Sequence, residues 1–539
     1  MTWLYWIVGL GLGFVSASAL ALYSYGRFAR RSRGAPSHAL PVAEADTALD
    51  RLIAPLHAEH PGQTGVSLVL DNAEAFAQRV LSLRAAGRSL DVMTYIWRDD
   101  TGGRLIAAEV LAAADRGVRV RLLLDDVNTH GLDPKFVALD KHPGIEVRLF
   151  NPIRARRSTI GRGLEILLGL VRYNRRMHCK LWLADGRLAI TGGRNIGTVY
   201  LARDPGPELR SPASRDADLL MLGALAEEAA EIFDRYWNSG IALPMRALWP
   251  RATVSLGRLR ERLRREATGA QGAAMLAGLE GASILPDPAR LHWTAGARLL
   301  ADPPEKALGH GREHWLPQRL AEAMGSTRTS LRLVTPYFVP GREGLAALVA
   351  LARRGVRVQI VTNALAATNH TVVHGAYRRY RRPLLAAGAA VHEFAPGGGG
   401  SGPGAPAGRP LSAPGLADSM AASVAGGPRP QEMLHAKLLV ADAALCFVGS
   451  FNFDLRSAFL NTEMGVACTD PHLVAEVLAE IERLAAPEAA WRLHLDGRVL
   501  RWEGAVRGPA LPVIRDPEAS AVRRGTSWVI GHLPIHSQL

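Results

Sequence analysis

The stretch RMHCKLWLADGRLAITGGRNIG, residues 176–197, decides the fold, because its pattern recurs as LHAKLLVADAALCFVGSFNF, residues 434–453. Each copy has a histidine, a lysine two residues later, an aspartate five residues after that, and then a glycine-led pair and an asparagine. These residues are His178, Lys180, Asp185, Gly192, Gly193 and Asn195, and then His435, Lys437, Asp442, Gly449, Ser450 and Asn452. The chain has only five lysines, so chance is a poor explanation for two copies, and the repeat predicts one site built from two halves.

The composition is that of a folded, basic protein. Of the 539 residues, 48% are hydrophobic and 21% are charged, which excludes a disordered chain and allows two or three domains. The formal net charge of +14 favours contact with polyanions, either anionic lipid or nucleic acid. The three cysteines fit neither a zinc cluster nor a disulfide framework, and we expect Cys179 to be a packing residue.

The N-terminal residues favour a membrane anchor. Thr2–Gly26 contains no charged residue and is long enough to cross a hydrocarbon layer of about 30 Å as a helix. Basic residues follow this stretch instead of preceding it, which disfavours a cleaved signal peptide. We therefore expect a single-pass anchor at residues 1–27 in the inner membrane and a polar linker at 28–47. The positive-inside rule places the rest of the chain in the cytoplasm.

The body of the chain repeats itself beyond the two motifs. Short Val/Leu/Ile-rich strands alternate with Ala/Leu-rich helical stretches, as in ADRGVRVRLLLDD, residues 114–126, and its counterpart ARRGVRVQIVTNA, residues 352–364. This pattern predicts an α/β fold with two similar lobes, each a mixed β-sheet flanked by helices. We expect the first lobe at 48–285, the second at 286–511 and a C-terminal tail at 512–539. Because alternate residues of a strand share a face, each histidine and its lysine should project into one cleft.

Two segments depart from the repeat. Residues 397–430 are so rich in glycine and proline that they cannot bury enough apolar surface to become ordered, which predicts a flexible surface loop. The corresponding part of the first half has arginines on both sides of an apolar stretch, Leu164–Val171. This stretch is either a contact with an anionic membrane or a core helix with a basic rim, and the sequence leaves both open.

The duplicated pattern supplies the groups that phosphoryl transfer needs. One imidazole can attack phosphorus to give a phosphohistidine, while the other protonates the departing alcohol and later deprotonates the acceptor. The lysine ammoniums and asparagine amides can stabilise charge on the phosphate oxygens. The sequence therefore favours a transfer reaction that needs neither a metal nor a cofactor.

At these positions the sequence resembles the phospholipase D superfamily, whose signature is a duplicated HxKxxxxD motif. The resemblance covers about residues 60–505. Within the superfamily, strings such as TYIWRDDTGGRL, NRRMHCKLWLADGR and GSFNFDLRSAFLNTEMG are similar to the bacterial cardiolipin synthase branch, in particular its C type. This resemblance implies transfer of a phosphatidyl group from one phospholipid to a headgroup hydroxyl of phosphatidylglycerol through a phosphatidyl-histidine.

The resemblance also implies roles for individual residues. His178 is expected to be the nucleophile and His435 the acid and base, although the symmetry of the motifs permits the reverse. Glu463 and Asp218 are candidates to orient the opposing histidines by accepting their second N–H.

Other residues of the pattern are assigned to the organisation of the site. Asp185 and Asp442 are expected to organise it, not to donate protons. The residues expected to line the substrate site are Gly193, Ser450, His374 and Tyr377; for His374 and Tyr377 a position on a helix surface is the alternative.

Two other functions use the same residues. A phospholipase D would transfer the phosphatidyl group to water, and a nuclease of the superfamily would suit the basic charge. The apolar N-terminal stretch and the lack of an aromatic stacking series in the basic segments disfavour the nuclease. The expected partners are phosphatidylglycerol, possibly phosphatidylethanolamine, and an anionic membrane surface, with no nucleic acid.

Overall fold

A nine-stranded mixed β-sheet lies at the centre of each half of the chain in the computed structural model, which describes residues 2–42, 45–129, 131–156, 158–203, 213–250, 253–395, 432–504 and 513–533. In the first half and the connection that follows it the helices are α1 (Thr2–Arg31), α2 (Ala48–Glu59), α3 (Asn72–Ala85), α4 (Thr101–Asp115), α5 (Asp133–Leu139), α6 (Thr159–Leu168), α7 (Leu170–Tyr173), α8 (Thr198–Leu201), α9 (Ala224–Trp237), α10 (Met245–Leu248), α11 (Leu256–Thr268) and α12 (Ala270–Ala277). In the second half they are α13 (Leu316–Gly325), α14 (Gly341–Arg353), α15 (Thr371–Ala386), α16 (Leu455–Phe459), α17 (Pro471–Ala485) and α18 (Ala521–His532).

The strands divide between the two halves at about residue 295. The first group is β1 (Thr64–Val69), β2 (Ser89–Thr94), β3 (Arg119–Asp125), β4 (Ile145–Phe150), β5 (Leu181–Ala184), β6 (Leu188–Gly192), β7 (Ala213–Arg215), β8 (Asp218–Gly223), β9 (Ala242–Pro244) and β10 (His292–Thr294). The second group is β11 (Ala297–Ala301), β12 (Ser330–Val334), β13 (Phe338–Val339), β14 (Arg357–Asn363), β15 (Ala390–Phe394), β16 (Glu432–Leu434), β17 (Leu438–Ala441), β18 (Leu445–Gly449), β19 (Phe453–Asp454), β20 (Met464–Cys468), β21 (Ala490–Asp496) and β22 (Val499–Glu503).

The two sheets have corresponding strand orders. The first runs β10-β1-β8-β6-β5-β2-β3-β4-β9 and the second β11-β20-β18-β17-β12-β14-β15-β21-β22. In each sheet three neighbouring strands are parallel, and the strand that follows the His-x-Lys segment joins them antiparallel. The prediction of an α/β fold with two similar lobes is therefore confirmed.

One hydrophobic core joins the lobes. The inner faces of the two sheets and the helices α9 and α17 contribute to the same buried cluster, which includes Phe233 and Trp237 on α9 and Ile481 on α17. Burial of each such side chain stabilises the fold by about 1.5–3 kcal/mol. Because strand residues of both sheets belong to this cluster, the lobes pack as one unit.

Two predicted boundaries were wrong. Strand β10 pairs with β1 in the first sheet and β11 with β20 in the second, so the boundary placed between 285 and 286 lies too early. The linker predicted at 28–47 is not a loose tether either. Helix α1 continues to Arg31, and the Ser37 amide then donates to Asn238 Oδ1 at 3.0 Å. The segment that follows the anchor is therefore bound along the first lobe.

The C-terminal segment also belongs to the body. Helix α18 packs against α15, where Arg523 donates to the Ala366 carbonyl at 3.2 Å and Arg379 donates to the Gly531 carbonyl at 2.6 Å. Residues 513–533 of the predicted tail are therefore part of the second lobe. The insert predicted at 397–430 lies outside the described residues.

The basic and apolar segment of the first half is a surface helix. No residue of α6 is buried, so the alternative of a core helix is wrong. Several of its arginines point inward, since Arg156 pairs with Asp126 and Asp133, and Arg176 pairs with Asp125 at 3.3 Å. In its described residues the segment presents an apolar outer surface more than a basic one.

Candidate active site

The two motif histidines are each fixed by the backbone of the opposite lobe. The His178 amide donates to the Thr462 carbonyl at 2.9 Å, next to a parallel bridge between Met177 and Thr462. The His435 amide donates to the Arg215 carbonyl at 2.7 Å, directly after the pairing of β16 with β7. These links bring the two motif segments together between the lobes.

Each imidazole contacts a carboxylate of the other lobe. His178 Nδ1 lies 2.8 Å from Glu463 Oε2, and His435 Nδ1 lies 2.5 Å from Asp216 Oδ2. All four side chains are buried. A carboxylate that accepts the Nδ1–H leaves Nε2 as the lone-pair nitrogen, which is the form that a nucleophile or base requires. The prediction that Glu463 contacts the opposing histidine agrees with this geometry.

Asp218 was predicted to face His435, and this prediction was wrong. Asp218 instead pairs with Arg79 at 2.7 Å and with Arg194 at 3.6 Å. The register gives the reason, because Gly192 pairs with Asp218 and Gly449 pairs with Gly465. Two residues before these equivalent positions are Asp216 and Glu463. Asp216 is thus the counterpart that sequence spacing alone did not identify.

The Gly-Gly and Gly-Ser pairs support these carboxylates. A Cβ atom on Gly193 would lie 1.9 Å from Asp216 Oδ1, so only glycine allows this aspartate its position. At the equivalent place the Ser450 hydroxyl donates to Glu463 Oε2 at 2.5 Å, and the Ser457 hydroxyl donates to Glu463 Oε1 at 2.7 Å. Gly193 and Ser450 were predicted to bind substrate, but in the structure Gly193 makes room for Asp216 and the Ser450 hydroxyl holds Glu463.

Burial controls the charge of the site. Desolvation, together with Lys180 and Lys437, holds the pKa of His178 well below its ordinary value. The same causes lower the pKa of His435 to about 4, although Asp216 partly offsets them. Both imidazoles are therefore neutral at neutral pH. Each histidine is influenced by both lysines, which is the electrostatic signature of one shared cleft.

The lysines are poised to respond to an anion. Burial lowers the pKa of Lys180 to about 7, partly offset by Glu463, and the pKa of Lys437 to about 8, partly offset by Asp216. Lys180 Nζ donates to the His178 carbonyl at 2.7 Å, and Lys437 donates to the His435 carbonyl. A bound phosphate would favour the charged form of both lysines.

Lys437 also lies close to the ring of His435. Its Nζ atom is 3.0 Å from His435 Nδ1. One ring nitrogen cannot both donate to Asp216 and accept from Lys437, and the shorter contact to the carboxylate at 2.5 Å takes precedence. Lys437 therefore remains available to a substrate oxygen.

Two tyrosines line the cleft beside the motif histidines, and neither was predicted from the sequence. The ring of Tyr95 is 4.8 Å from that of His178, with Lys180 Nζ 5.4 Å from its centroid, and the ring of Tyr200 is 5.5 Å from that of His435. Tyr95 follows β2 and Tyr200 lies on α8, so both come from the first lobe.

The motif aspartates lie at the other end of their strands. Asp185 accepts the backbone N–H groups of Gly87, Arg88 and Ser89, at 3.0, 2.8 and 2.9 Å. Its φ of 52° is in the left-handed region, as is that of Asp442, at 54°. Asp442 accepts in the same way from the amides of residues 328–330. Both carboxylates fix the chain that enters the central strand, which organises the fold of the site from a distance.

The motif asparagines are buried in the described structure. Asn195 Oδ1 accepts the Ile96 amide at 3.2 Å, which ties it to the turn after β2. Asn452 follows Ser450 and is also buried. Nothing in the contacts of either side chain conflicts with a role as a phosphate ligand.

His374 and Tyr377 belong to a separate buried cluster on α15. Arg381 contacts His374 Nε2 at 3.1 Å and donates to Glu393 at 2.8 Å and to Asp516 at 2.7 Å. Among the described residues their contacts are with this network and α18, not with either motif histidine, so the predicted headgroup role is not supported. His374, Glu393 and Asp516 have the residue types of a metal site, but the guanidinium occupies their centre.

The fold and the site define a two-lobed, phospholipase D-like phosphatidyltransferase, and comparison with known proteins narrows this class. The family model "Cardiolipin synthase, PLD-like domain" matches residues 81–237 and 320–485, more than half of the chain. The chain belongs to this family.

The similar proteins include two named synthases. Cardiolipin synthase C of Escherichia coli (strain K12) is 37% identical over 493 residues, covering 90% of this chain and 98% of that protein. Cardiolipin synthase 1 of Bacillus cereus is 24% identical over 426 residues, covering 78% of this chain and 66% of that protein. The crystal structure of phosphatidylserine synthase from Haemophilus influenzae Rd KW20 shares the fold, with a TM-score of 0.53 and 13% identity over 86% of this chain and 92% of that one.

Proposed function

We propose that this protein makes cardiolipin by transferring a phosphatidyl group from one phospholipid to a headgroup hydroxyl of phosphatidylglycerol. The single observation that carries this is the pair of buried imidazoles, each held at Nδ1 by a carboxylate of the other lobe. The similarity to a named cardiolipin synthase over nearly the whole chain supports the choice of acceptor.

In the first step His178 Nε2 attacks phosphorus and the bond to the headgroup oxygen of the donor lipid breaks. His435 gives its proton to this departing oxygen, so the headgroup leaves as an alcohol and a phosphatidyl-histidine remains. His435 must take up a proton before this step, and the negative charge of a bound phosphodiester beside it favours that uptake.

In the second step the hydroxyl of phosphatidylglycerol replaces the departed alcohol. Neutral His435 accepts its proton while the oxygen attacks phosphorus, and the N–P bond to His178 breaks. Lys180, Lys437 and the two motif asparagines would stabilise charge on the phosphate oxygens in both transition states. The same groups serve both steps, because the second reverses the first with a different alcohol.

The environments of the histidines support this division of labour. The pKa of His178 is held well below its ordinary value by burial and by the neighbouring cations, which suits a group that must be unprotonated to attack. At His435 the carboxylate of Asp216 opposes the lowering of the pKa, which suits a group that must alternately hold and release a proton.

The site of action that we propose is the surface of the inner membrane, with the catalytic body on the cytoplasmic side. Among the described residues, α1 is the helix long and apolar enough to cross a membrane, from Trp3 to Arg31. The arginines at its C-terminal end, next to the body, support the cytoplasmic orientation by the positive-inside rule.

The test is lipid product analysis with the full-length protein in vesicles that contain labelled phosphatidylglycerol, with and without phosphatidylethanolamine. Cardiolipin with release of glycerol is the expected product from phosphatidylglycerol alone. Release of ethanolamine in the mixed vesicles would identify phosphatidylethanolamine as a donor.

The control for the chemistry is His178→Ala, which should form no product and retain no label. Phosphatidic acid as the main product would show hydrolysis and overturn the transfer reaction. Trapping of labelled phosphatidyl group on His435 in place of His178 would reverse the assigned roles.

A further inference from the structure

The outer surface of α6 and α7 is exposed and apolar. Ile160 is 86% exposed and Val171 76%, and between them Leu164, Leu167 and Leu170 are each more than half exposed. We name these five residues the apolar ridge: Ile160, Leu164, Leu167, Leu170 and Val171. The first four are three or four residues apart and Val171 adjoins the last of them, which places them along one side of the helical segment. A contiguous apolar surface of this kind marks an interaction site.

The apolar ridge lies beside the end of the membrane anchor. Helix α6 packs against α1, where Arg154 donates to Ser24 Oγ at 3.1 Å and the ring of Tyr173 lies 6.4 Å from that of Tyr25. Tyr25 is only 6% exposed, whereas all but two of residues 3–23 of α1 are exposed. As a helix, those residues span roughly 30 Å, the thickness of the hydrocarbon layer. The apolar ridge therefore lies at the level where α1 leaves the bilayer.

The same segment leads directly into the catalytic strand. Helix α7 ends at Tyr173, five residues before His178. The Asn151 side-chain Nδ2 donates to the Arg172 carbonyl at 2.9 Å and to the Arg175 carbonyl at 2.8 Å, which fixes the segment to the carboxyl end of β4. The apolar ridge is thus attached rigidly to the end of the sheet where the site lies.

We propose that the apolar ridge inserts into the lipid interface beside α1 and holds the catalytic cleft against the bilayer. Insertion itself stands on the exposure of the ridge and its continuity with the anchor, whereas delivery of substrate to the cleft rests on the proposed function. The ridge contacts the lipid interface and not another protein. Because the ridge lies beside the point where α1 leaves the bilayer, a partner protein that covered it would itself have to lie at the membrane surface.

The ridge binds lipid by its apolar side chains. The neighbouring arginines Arg156 and Arg176 are committed to internal carboxylates, so the ridge itself adds apolar contact and little charge. The exposed arginines Arg27, Arg30 and Arg31 belong to the end of α1. Salt should therefore weaken the contribution of those arginines and leave that of the ridge almost unchanged. Two contacts with the membrane, one spanning and one interfacial, would fix the tilt of the body.

The test places an environment-sensitive fluorophore on a cysteine introduced at Leu164 in the full-length protein. The three native cysteines are buried and should label slowly. The matched control is Arg353→Cys, exposed at the C-terminal end of α14, which is the end of that helix remote from the site. On reconstitution into vesicles, lipids with a quencher on a shallow acyl carbon should reduce the Leu164 signal at least twofold and leave the control unchanged. The Leu164 signal should resist aqueous iodide.

Two results would overturn the proposal. Equal quenching of both positions by iodide would show that the ridge faces water. Protection of the Leu164 probe in detergent that grows with protein concentration would show that a second copy covers the ridge.

The readout does not depend on catalysis, and it should be the same in a His178→Ala background. Lipid quenching without cardiolipin formation would support the insertion and reject the proposed function. Cardiolipin formation without lipid quenching would reject the insertion and leave the proposed function standing.

As an independent measurement, the double variant Leu164→Ser and Leu167→Ser should raise the KM for phosphatidylglycerol in vesicles about tenfold, while kcat/KM for a monomeric short-chain phospholipid stays unchanged. An unchanged vesicle KM would contradict the proposal.

Discussion

His178 Nδ1 lies 2.8 Å from Glu463 Oε2, although the two residues are 285 positions apart and belong to different lobes. His435 and Asp216 make the equivalent contact in the opposite direction, so each lobe supplies the carboxylate for the other lobe's imidazole. Neither lobe alone contains an oriented histidine. Activity therefore depends on the docking of the lobes, which the shared hydrophobic core provides.

Glu463→Gln should lower kcat by roughly 10²–10⁴, with little change in KM, because an amide no longer stabilises the required tautomer and the charge that develops on the ring. The measurement is steady-state kinetics with a short-chain phospholipid. The matched control is Glu393→Gln, another buried glutamate of the second lobe, which should lower the melting temperature without this loss of kcat. Equal kcat values for the two variants would exclude an orienting role for Glu463.

Asp216→Asn and Asp218→Asn form a paired test of which aspartate serves His435. Asp216→Asn should reduce kcat by at least 10², since it removes the carboxylate 2.5 Å from the ring. Asp218→Asn should chiefly reduce stability, because it breaks a buried contact with Arg79. Thermal unfolding and kcat are measured for both. A larger kcat effect from Asp218→Asn would contradict the geometry.

Asp185→Asn should destabilise the fold by about 2 kcal/mol while kcat per folded molecule stays within about threefold, because three backbone N–H groups lose a charged acceptor. Asparagine tolerates the left-handed backbone at this position, so loss of charge is the main change. Thermal unfolding in detergent and activity below the transition provide the measurement. A loss of kcat comparable to that of His178→Ala would instead make this aspartate part of the chemistry.

The value of kcat/KM should fall as the pH rises through about 7 to 8, because Lys180 and Lys437 lose their protons in the free enzyme over this range. The sign follows from the charge, since protonated lysines bind the phosphate and their pKa values are lowered by burial. Lys180→Arg keeps a positive charge at every accessible pH and should move this limb upward, even if the maximal rate falls. An alkaline limb unchanged in both Lys180→Arg and Lys437→Arg would assign it to another group.

Much of this architecture follows from the sequence. The duplicated motif predicted two similar lobes, because strand periodicity and repetition are local properties, whereas the contact of Glu463 with the opposing histidine was implied by the resemblance to the family. Asp216 was missed because its equivalence to Glu463 depends on the pairing of Gly192 with Asp218, a register that spacing does not reveal. His374 was misplaced because its partners, Arg381 and Asp516, come together only in the folded second lobe.

The pairing of β7 with β16 has a consequence for how this chain can change. These two short strands end immediately before Asp216 and His435, and their backbone hydrogen bonds position both residues from the opposite lobe. Upstream of β16, about half of residues 397–430 are glycine or proline. Because β16 is fixed by its pairing with β7 after that tract, we expect insertions and deletions within the tract to leave the positions of Asp216 and His435 unchanged. The length of the tract can then vary without a change in the chemistry.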